Sequence, residues 1–429
     1  MNIEMGYSTF KFVLPFYCKS DKDKAKEPFC LSDWKQIPIN TKYLTQSVYE
    51  LFNENKEAVC KCYSLNDSAR PKYSIPSRYT LVTMHSDMPA CQGDYRIILS
   101  GHRIIWFESG LGFAVLDVQI PEDDIESAAD VSFCLSNVFT NEHDGGDIIN
   151  NLVFSFVENE ETHMLSIKNS LMQLIFGQTE GKGVELFPSS TRKRLITYHS
   201  IITDRNLVDE DKAINCLANS LHSGIRYNGN QDSGVVMSSF SGQKWYIGPN
   251  GVASYVGYRD KDTFITKVHK RNVDLDYFYI FILALHEREL LLKDNYLAVR
   301  YRNNHKKLID MKDQLLTMDI VYSFNTVSIE SSYQRFYADI CNVFNLEALR
   351  SDIRNVVENV ESHVNEQNDR RINAVLTAIS LLAVFSALTD GVGFADRIQE
   401  GLPFGILQWM VISLIFIFIA IAVYLFRKK

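Results

Sequence analysis

The sequence lacks the motifs that identify common enzyme classes. It contains no HExxH, GxSxG or HxE…CxxC pattern, and its ten histidines are dispersed. Paired carboxylates such as Asp123 and Asp124 lie in polar stretches typical of a solvated surface. The segment 177–183, GQTEGKG, lacks the glycine spacing and the Lys-Ser/Thr ending of a phosphate-binding loop. We therefore predict that the protein is not an enzyme.

Basic character and closely spaced cysteines are also scarce. The formal net charge is −8, which argues against direct nucleic-acid binding. Of the eight cysteines only Cys60 and Cys62 are close in sequence, and no partner follows at the spacing of a zinc site. Free thiols in a reducing cytosol are expected, and the metal ligands stay unknown. The N-terminus lacks the basic start and apolar core of a signal peptide, so most of the chain is expected in the cytosol.

Long apolar runs are absent until the C-terminal end of the chain. The run 404–426 has few polar side chains, and about 20 apolar residues suffice for a membrane-spanning helix. The shorter run 372–388 follows two arginines, the segment 427–429 is a basic tail, and the loop 389–403 between the runs is mainly acidic. Under the positive-inside rule, this arrangement predicts two transmembrane helices, an external loop and two cytosolic chain termini.

Small and polar side chains share one face of the first predicted span at the helical period. These residues are Asn373, Thr377, Ser380, Val384, Ala387 and Gly391. Polar side chains within a span usually face a bundle interior or a watery path, which would make this face a pore lining. Small polar residues also let helices pack closely, so pore lining and packing are both open. One hairpin cannot enclose a pore, so ion passage requires several copies around an axis.

The rest of the chain divides into three predicted parts. Residues 330–371 contain no proline or glycine and have apolar side chains at steps of three and four, which predicts a stalk helix running into the first span. Residues 276–329 are predicted to form helices that pack on the stalk. Short bursts rich in Ile, Val, Tyr and Phe predict strands in a cytosolic α/β ligand-sensing domain at 1–275. The predicted fold class is an α+β cytosolic domain followed by a long stalk helix and two C-terminal transmembrane helices.

Two local elements are predicted within the N-terminal domain. Strand-like segments at 95–109 and 113–120 flank GLGF at 110–113, which is typical of a hairpin turn. The segment Asp209–Leu221 is predicted to be a helix.

The layout and two segments resemble the CorA superfamily of magnesium transporters. RINAVLTAISLL at 371–382 and LHEREL at 285–290 are similar to sequences of that family. The resemblance covers the C-terminal third of the chain, and in the N-terminal half it depends on architecture alone. It implies a homo-oligomer, pentameric in that family, in the inner membrane of a prokaryote, with contacts to the lipid bilayer and a divalent cation in the pore.

The Gly-Met-Asn motif of that family is altered at the outer end of the first predicted span. Gly393 matches the glycine, but Phe394 stands in place of the methionine and Ala395 in place of the asparagine. The asparagine side chains hold hydrated magnesium at the pore mouth in the family, so this chain lacks the amide oxygen that orders water around the ion. Asp390 and Asp396 would concentrate cations there by charge alone.

CorA-like chains without this motif also resemble membrane effectors of type III CRISPR systems. That resemblance implies an oligomeric channel or effector in antiviral defence, gated by a cytosolic adenylate-type second messenger such as SAM-AMP or an oligoadenylate. Two basic clusters are candidates for its phosphates, although such clusters are often plain surface: Arg192, Lys193 and Arg194, and Lys267, Lys270 and Arg271. A magnesium or other divalent-cation transporter and a pore-less membrane-anchored sensor are the alternatives.

Overall fold

The structure is a computed structural model. It describes residues 8–18, 32–52, 59–121, 125–140, 152–176, 183–188, 193–203, 209–225, 234–257, 263–301, 304, 307, 311–312, 315–316 and 321–398. The chain divides into two compact units. The first contains Met1–Arg300 and Met311–Ile353, and the second contains Tyr301–Asp310 and Arg354–Lys429.

Within the described residues, thirteen strands of the first unit form one mixed sheet. They are β1 Thr9–Cys18, β2 Trp34–Ile37, β3 Cys60–Leu65, β4 Leu81–Ser86, β5 Gly93–Phe107, β6 Leu111–Gln119, β7 Val153–Glu158, β8 Glu161–Ser166, β9 Val184–Leu186, β10 Ile196–Thr203, β11 Val235–Met237, β12 Gln243–Gly248 and β13 Gly251–Gly257. The main path runs β11-β12-β13-β10-β1-β6-β5-β4-β7-β8. In addition, β3 joins β2 to β5, and β9 pairs with β1. β10 and β13 pair in parallel, and the other pairs described are antiparallel.

The helices of the described residues vary greatly in length. They are α1 Gln46–Leu51, α2 Ile125–Ser136, α3 Ile167–Phe176, α4 Glu210–Asn219, α5 Lys270–Asn272, α6 Phe278–Tyr301, α7 Ser331–Val343 and α8 Leu346–Ile398. A 3₁₀ helix covers Asp67–Tyr73. Two π-helical segments, Phe264–His269 and Val273–Tyr277, flank α5.

Both local predictions in the N-terminal domain are confirmed. β5 and β6 form an antiparallel pair, and Gly110 in the turn between them has φ +84°, a conformation that favours glycine. β5 is one long strand with an irregularity between Leu99 and Gly101. The predicted helix at Asp209–Leu221 is α4, whose N-cap side chain, Asp209, accepts a hydrogen bond from the Lys212 amide at 3.1 Å.

Helices cover both faces of the sheet. Adjacent residues of a strand point to opposite faces, and Tyr198 and His199 in β10 show what covers each. His199 Nε2 lies 2.8 Å from Ser132 Oγ in α2. The Tyr198 ring packs against Phe278 and Phe281 of α6. Because both faces are covered, every residue of β10 is buried.

α6 is buried around its whole circumference at its N-terminal end. Residues 278–285 are 0–2% exposed, as expected for a helix that is apolar on all sides. Phe281 contacts Phe344 at a centroid distance of 6.4 Å, and Glu287 forms an ion pair with Arg350. The segment therefore packs against the sheet and also against the start of α8.

The segment predicted as a single stalk helix contains a break. α7 ends at Val343, and Asn345 has φ +55° before α8 begins at Leu346. Asparagine tolerates this left-handed conformation, which commonly follows the end of a helix. α8 then continues without a break through 372–388 and into the segment predicted as an external loop.

The membrane predictions need correction. In the ranges that the structure covers, no helix has both the length and the apolar character needed to cross a membrane. The predicted fold class with two C-terminal transmembrane helices, and the predicted inner-membrane location, are contradicted by this finding. The run 372–388 offers about 26 Å of helix against a hydrocarbon core of about 30 Å, and it includes polar side chains. The second predicted span, 404–426, lies outside the described residues.

Candidate ligand-binding cavity

A cavity of about 330 Å³ lies in the first unit, beside β1, β5, β6 and the helical segment around α5. We call it the Lys11 cavity. Its charged lining consists of Lys11, Arg78, Arg103, Asp117, Lys270 and Asp274. Four cationic side chains thus face two carboxylates, an excess of two positive charges.

Asp117 connects three strands at the base of this cavity. It stands directly opposite Lys11 in the pairing of β1 with β6, and Lys11 Nζ lies 2.8 Å from Asp117 Oδ1. Arg103 from β5 donates from Nε to Oδ2 at 2.9 Å and from Nη2 to Oδ1 at 2.7 Å. Burial alone would raise the pKa of Asp117, but the Arg103 and Lys11 charges outweigh burial and hold that pKa well below its usual range.

Gly101 leaves room for this carboxylate. It pairs with Asp117 across β5 and β6, and an added Cβ would lie 2.9 Å from Asp117 Oδ2. A larger residue would therefore displace the carboxylate that Lys11 and Arg103 bind.

Asp274 extends the charge network to the helical side of the cavity. Its Oδ2 accepts from Lys270 Nζ at 2.8 Å, and its Oδ1 lies 3.5 Å from Lys11 Nζ. Thr9 Oγ1 donates to Asp274 Oδ1 at 2.9 Å and accepts from Lys270 Nζ. Burial raises the pKa of Asp274, but the charges of Lys11 and Lys270 lower it by a larger amount. The pKa of Asp274 therefore lies below the ordinary value of an aspartate. The charges alternate in sign from Arg103 through Asp117, Lys11 and Asp274 to Lys270.

The backbone around Lys270 and Asp274 is unusual. Lys270 follows one π-helical segment, and Asp274 lies in the next. π-Helical turns are rare and are often found at functional sites. The Phe278 ring, where α6 begins, lies 5.3 Å from Lys11 Nζ and 5.2 Å from the Arg103 guanidinium carbon. These two cation–π contacts stabilise the Lys11 and Arg103 charges.

Neutral polar groups complete the lining. Ser8, Ser64, Ser100 and Gln119 contribute side chains to it. Within the described part of the chain, the buried Gln119 Oε1 has no hydrogen-bond partner. Arg78 is an exposed side chain whose Nε donates to the Ser100 carbonyl at 3.2 Å. The cavity thus contains an exposed cation, Arg78, and a hydrogen-bond acceptor, Gln119 Oε1, that has no partner among the described residues.

Of the residues predicted to bind phosphate, Lys270 lines the cavity. Its neighbour Arg271 instead donates to the Asn40 carbonyl at 2.9 Å, and Lys267 is exposed. In the other predicted cluster, Arg194 Nε donates to Asn137 Oδ1 at 2.9 Å.

The structure describes one of the other two residues of the cluster at 192–194. Lys193 is exposed and does not line it. Arg192 lies outside the described residues.

The residues predicted to line a pore lie along α8. Asn373, Thr377 and Ser380 are exposed, and so is Val384. Thr377 Oγ1 donates to the Asn373 carbonyl at 2.7 Å, and Ser380 Oγ donates to the Leu376 carbonyl at 2.8 Å. These hydroxyls are therefore satisfied by their own helix. The other predicted pore and pore-mouth residues belong to the backbone of the same helix: Ala387, Asp390, Gly391, Gly393, Phe394, Ala395 and Asp396.

Sequence reasoning missed most of the charged lining. Lys11 lies inside the apolar run TFKFVLPF, and Asp117 lies inside FAVLDVQI. A single charged residue within an otherwise apolar strand is unusual, because a buried charge needs a partner of opposite sign. Both positions therefore indicated buried ion pairs that sequence reasoning could have used. Over the residues with an assigned structure, no cluster of three or more His, Cys, Asp or Glu side chains is placed to hold a metal ion.

The CorA-like resemblance stays a prediction, because no family model, no curated protein and no solved structure matches this chain.

Proposed function

We propose that the first unit binds a small phosphate-bearing ligand of the adenylate class in the Lys11 cavity. The observation that carries the proposal is the grouping of Lys11, Arg78, Arg103 and Lys270 around one cavity with only two carboxylates. An anion with two negative charges matches the excess of positive charge, and charge-assisted hydrogen bonds are the strong ones.

Two cations are available to an incoming phosphate. Arg78 is exposed, and among the described residues it contacts a backbone carbonyl rather than a carboxylate. The Lys270 side chain is 25% exposed and shares Asp274 with Lys11, so a phosphate can replace Asp274 as its partner while Lys11 keeps that carboxylate compensated. Lys11 and Arg103 are buried against Asp117 and act as a fixed positive background.

The size of the cavity and its neutral groups suit one nucleotide unit. A volume of about 330 Å³ is near the lower end of the range of about 300–1,000 Å³ found for small-molecule sites. The Ser64 hydroxyl supplies a donor and an acceptor for a ribose. The Ser100 hydroxyl, which donates to the Asp117 carbonyl at 3.2 Å, supplies an acceptor, and the Gln119 amide oxygen offers an acceptor for a ligand N–H. An oligoadenylate would place one of its units here.

Calorimetric titration of the full chain tests the proposal. The probes are AMP, SAM-AMP, an oligoadenylate and inorganic phosphate, with adenosine as the uncharged comparison. We expect adenosine to bind at least about tenfold more weakly than AMP, because loss of one charge-assisted hydrogen bond corresponds to about 1.5–3 kcal/mol.

Three variants locate the site. We expect Arg78→Ala and Lys270→Ala each to weaken binding of the phosphate-bearing probes by about ten- to a hundredfold. Lys267→Ala is the matched control, because Lys267 is an exposed lysine of the adjoining π-helical segment and does not line the cavity. Absence of binding by every probe, or equal loss of affinity in Lys267→Ala, would overturn the proposal.

A further inference from the structure

Two buried cysteines lie in direct contact on the sheet face that α2 covers. Cys91, in the connection between β4 and β5, and Cys134, in α2, have Sγ atoms 3.0 Å apart. This distance is shorter than an ordinary non-bonded contact between carbon atoms, which is about 3.5–4.0 Å, and about 1 Å longer than the S–S bond of a disulfide, which is about 2.0 Å. Small side-chain rotations therefore suffice to join the two sulfur atoms.

The surroundings give the two thiols different access to solvent. Cys134 is 0% exposed, and its Sγ also lies 3.3 Å from Ser86 Oγ. Cys91 is 4% exposed, but Asp87 and Gln92 in the same connection are exposed. Cys91 thus lies directly beneath the surface, within reach of a small oxidant after a slight opening of the loop.

We infer that Cys91 and Cys134 form a reversible disulfide when the protein meets a peroxide. In the first step the Cys91 sulfur attacks hydrogen peroxide, the O–O bond breaks, and a sulfenic acid and one water molecule result. In the second step the Cys134 sulfur attacks the sulfenic sulfur, the S–S bond forms, and a second water molecule leaves. Two thiols are oxidised and one peroxide is reduced. A small dithiol reverses the reaction by exchange and becomes oxidised in turn.

The electrostatics agree with this order of events. The hydrogen bond from Cys134 lowers the pKa of Cys91, against the opposing effects of burial and of the Asp130 charge. The same contact, together with burial, raises the pKa of Cys134 well above its usual range. Because the thiolate is the reactive form, Cys91 is the thiol that meets the oxidant and Cys134 the one that resolves the intermediate.

The test is peroxide treatment of the folded full chain, read by intact mass and by non-reducing peptide mapping. We expect a loss of about 2 Da per chain, a peptide pair joined through Cys91 and Cys134, and recovery of the starting mass with a dithiol. The number of free thiols titrated in denaturant should fall by two, from the eight cysteines of the sequence to six. The disulfide should also raise the melting temperature, because it joins α2 to the β4–β5 connection.

Three variants test whether the disulfide joins Cys91 to Cys134 rather than other cysteines. Cys91→Ser should abolish the mass loss, and Cys134→Ser should stop the reaction at the sulfenic acid, which a dimedone probe captures. Cys18→Ser is the control, because Cys18 is a more exposed thiol outside the pair and its removal should leave the linked peptide unchanged. A linked peptide with other cysteines, oxidation to sulfinic acid without a link, or no reaction of the folded protein would overturn the inference. The mapping of the parent protein decides this even if a variant does not fold.

Discussion

Lys11 on β1 stands directly opposite Asp117 on β6, and the two side chains form an ion pair with a separation of 2.8 Å that is largely closed to solvent. Arg103 donates to both oxygens of the same carboxylate. The pair connects neighbouring strands at the base of the cavity, so the stability of the unit and the charge of the candidate site depend on the same residues.

Replacing Lys11 by methionine should lower the free energy of unfolding by about 3 kcal/mol, because loss of one partner leaves buried carboxylate charge less compensated. Urea denaturation measures the effect. Lys244→Met is the matched control: Lys244 contacts Glu210 and Asp211 at 2.9 and 3.1 Å but is 38% exposed, so its loss should change stability by less than about 1 kcal/mol. Equal losses in the two variants would contradict the role of burial.

Gly101→Ala should destabilise the unit by about 1–3 kcal/mol, because the new Cβ would lie 2.9 Å from Asp117 Oδ2. The comparison is Gly257→Ala, at which the nearest described atom, the hydroxyl oxygen at the end of the Tyr255 side chain, is 3.3 Å away. That variant should stay within about 0.5 kcal/mol of the parent protein in the same urea series. A neutral Gly101→Ala would show that the carboxylate moves without loss.

Stability should fall as the pH is lowered from 7 to 5, with His199 as one cause. Burial lowers the pKa of His199 to about 3, whereas an unfolded histidine has a pKa near 6.5. Between these values the unfolded chain binds more protons than the folded chain. The stabilisation is therefore present above about pH 6.5 and is lost as the pH falls, by about 2 kcal/mol at pH 5.

His199→Gln tests this assignment, because glutamine can still hydrogen-bond the Ser132 hydroxyl. The difference in unfolding free energy between pH 7 and pH 5 should be about 2 kcal/mol smaller in the variant than in the parent protein. An unchanged difference, or an imidazole signal of His199 that titrates near pH 6.5 by NMR, would exclude His199 as a cause.

Arg350→Met should destabilise the first unit by about 3–5 kcal/mol, because Arg350 is an ion-pair partner of Glu287, which is 0% exposed. Arg335→Met removes an arginine that lies 3.7 Å from Asp339 but is 61% exposed, and it should cost less than about 1 kcal/mol. Thermal and urea unfolding compare the two variants. Similar losses would mean that the start of α8 gains little from this contact.

Predictions from local sequence patterns were correct for elements that neighbouring residues determine. The alternation that predicted β5 and β6 and the helical segment after Asp209 depend on neighbouring residues, and both were confirmed. The membrane prediction combined the apolar content of two runs with the charges that flank them. The run 372–388 continues the helix that precedes it, as predicted, but that helix, α8, carries charged side chains along much of its length.

The sequence by itself determined the β5–β6 hairpin, the helix α4 and the long helical period of α8, because the spacing of apolar side chains and a turn glycine among neighbouring residues indicate each of them. Only the tertiary structure decided that Lys11 meets Asp117, 106 positions later in the chain, or that Thr9 meets Asp274, 265 positions later. Such contacts depend on which strands pair and which helix covers them, and the burial of the whole sheet sets that choice rather than any local preference.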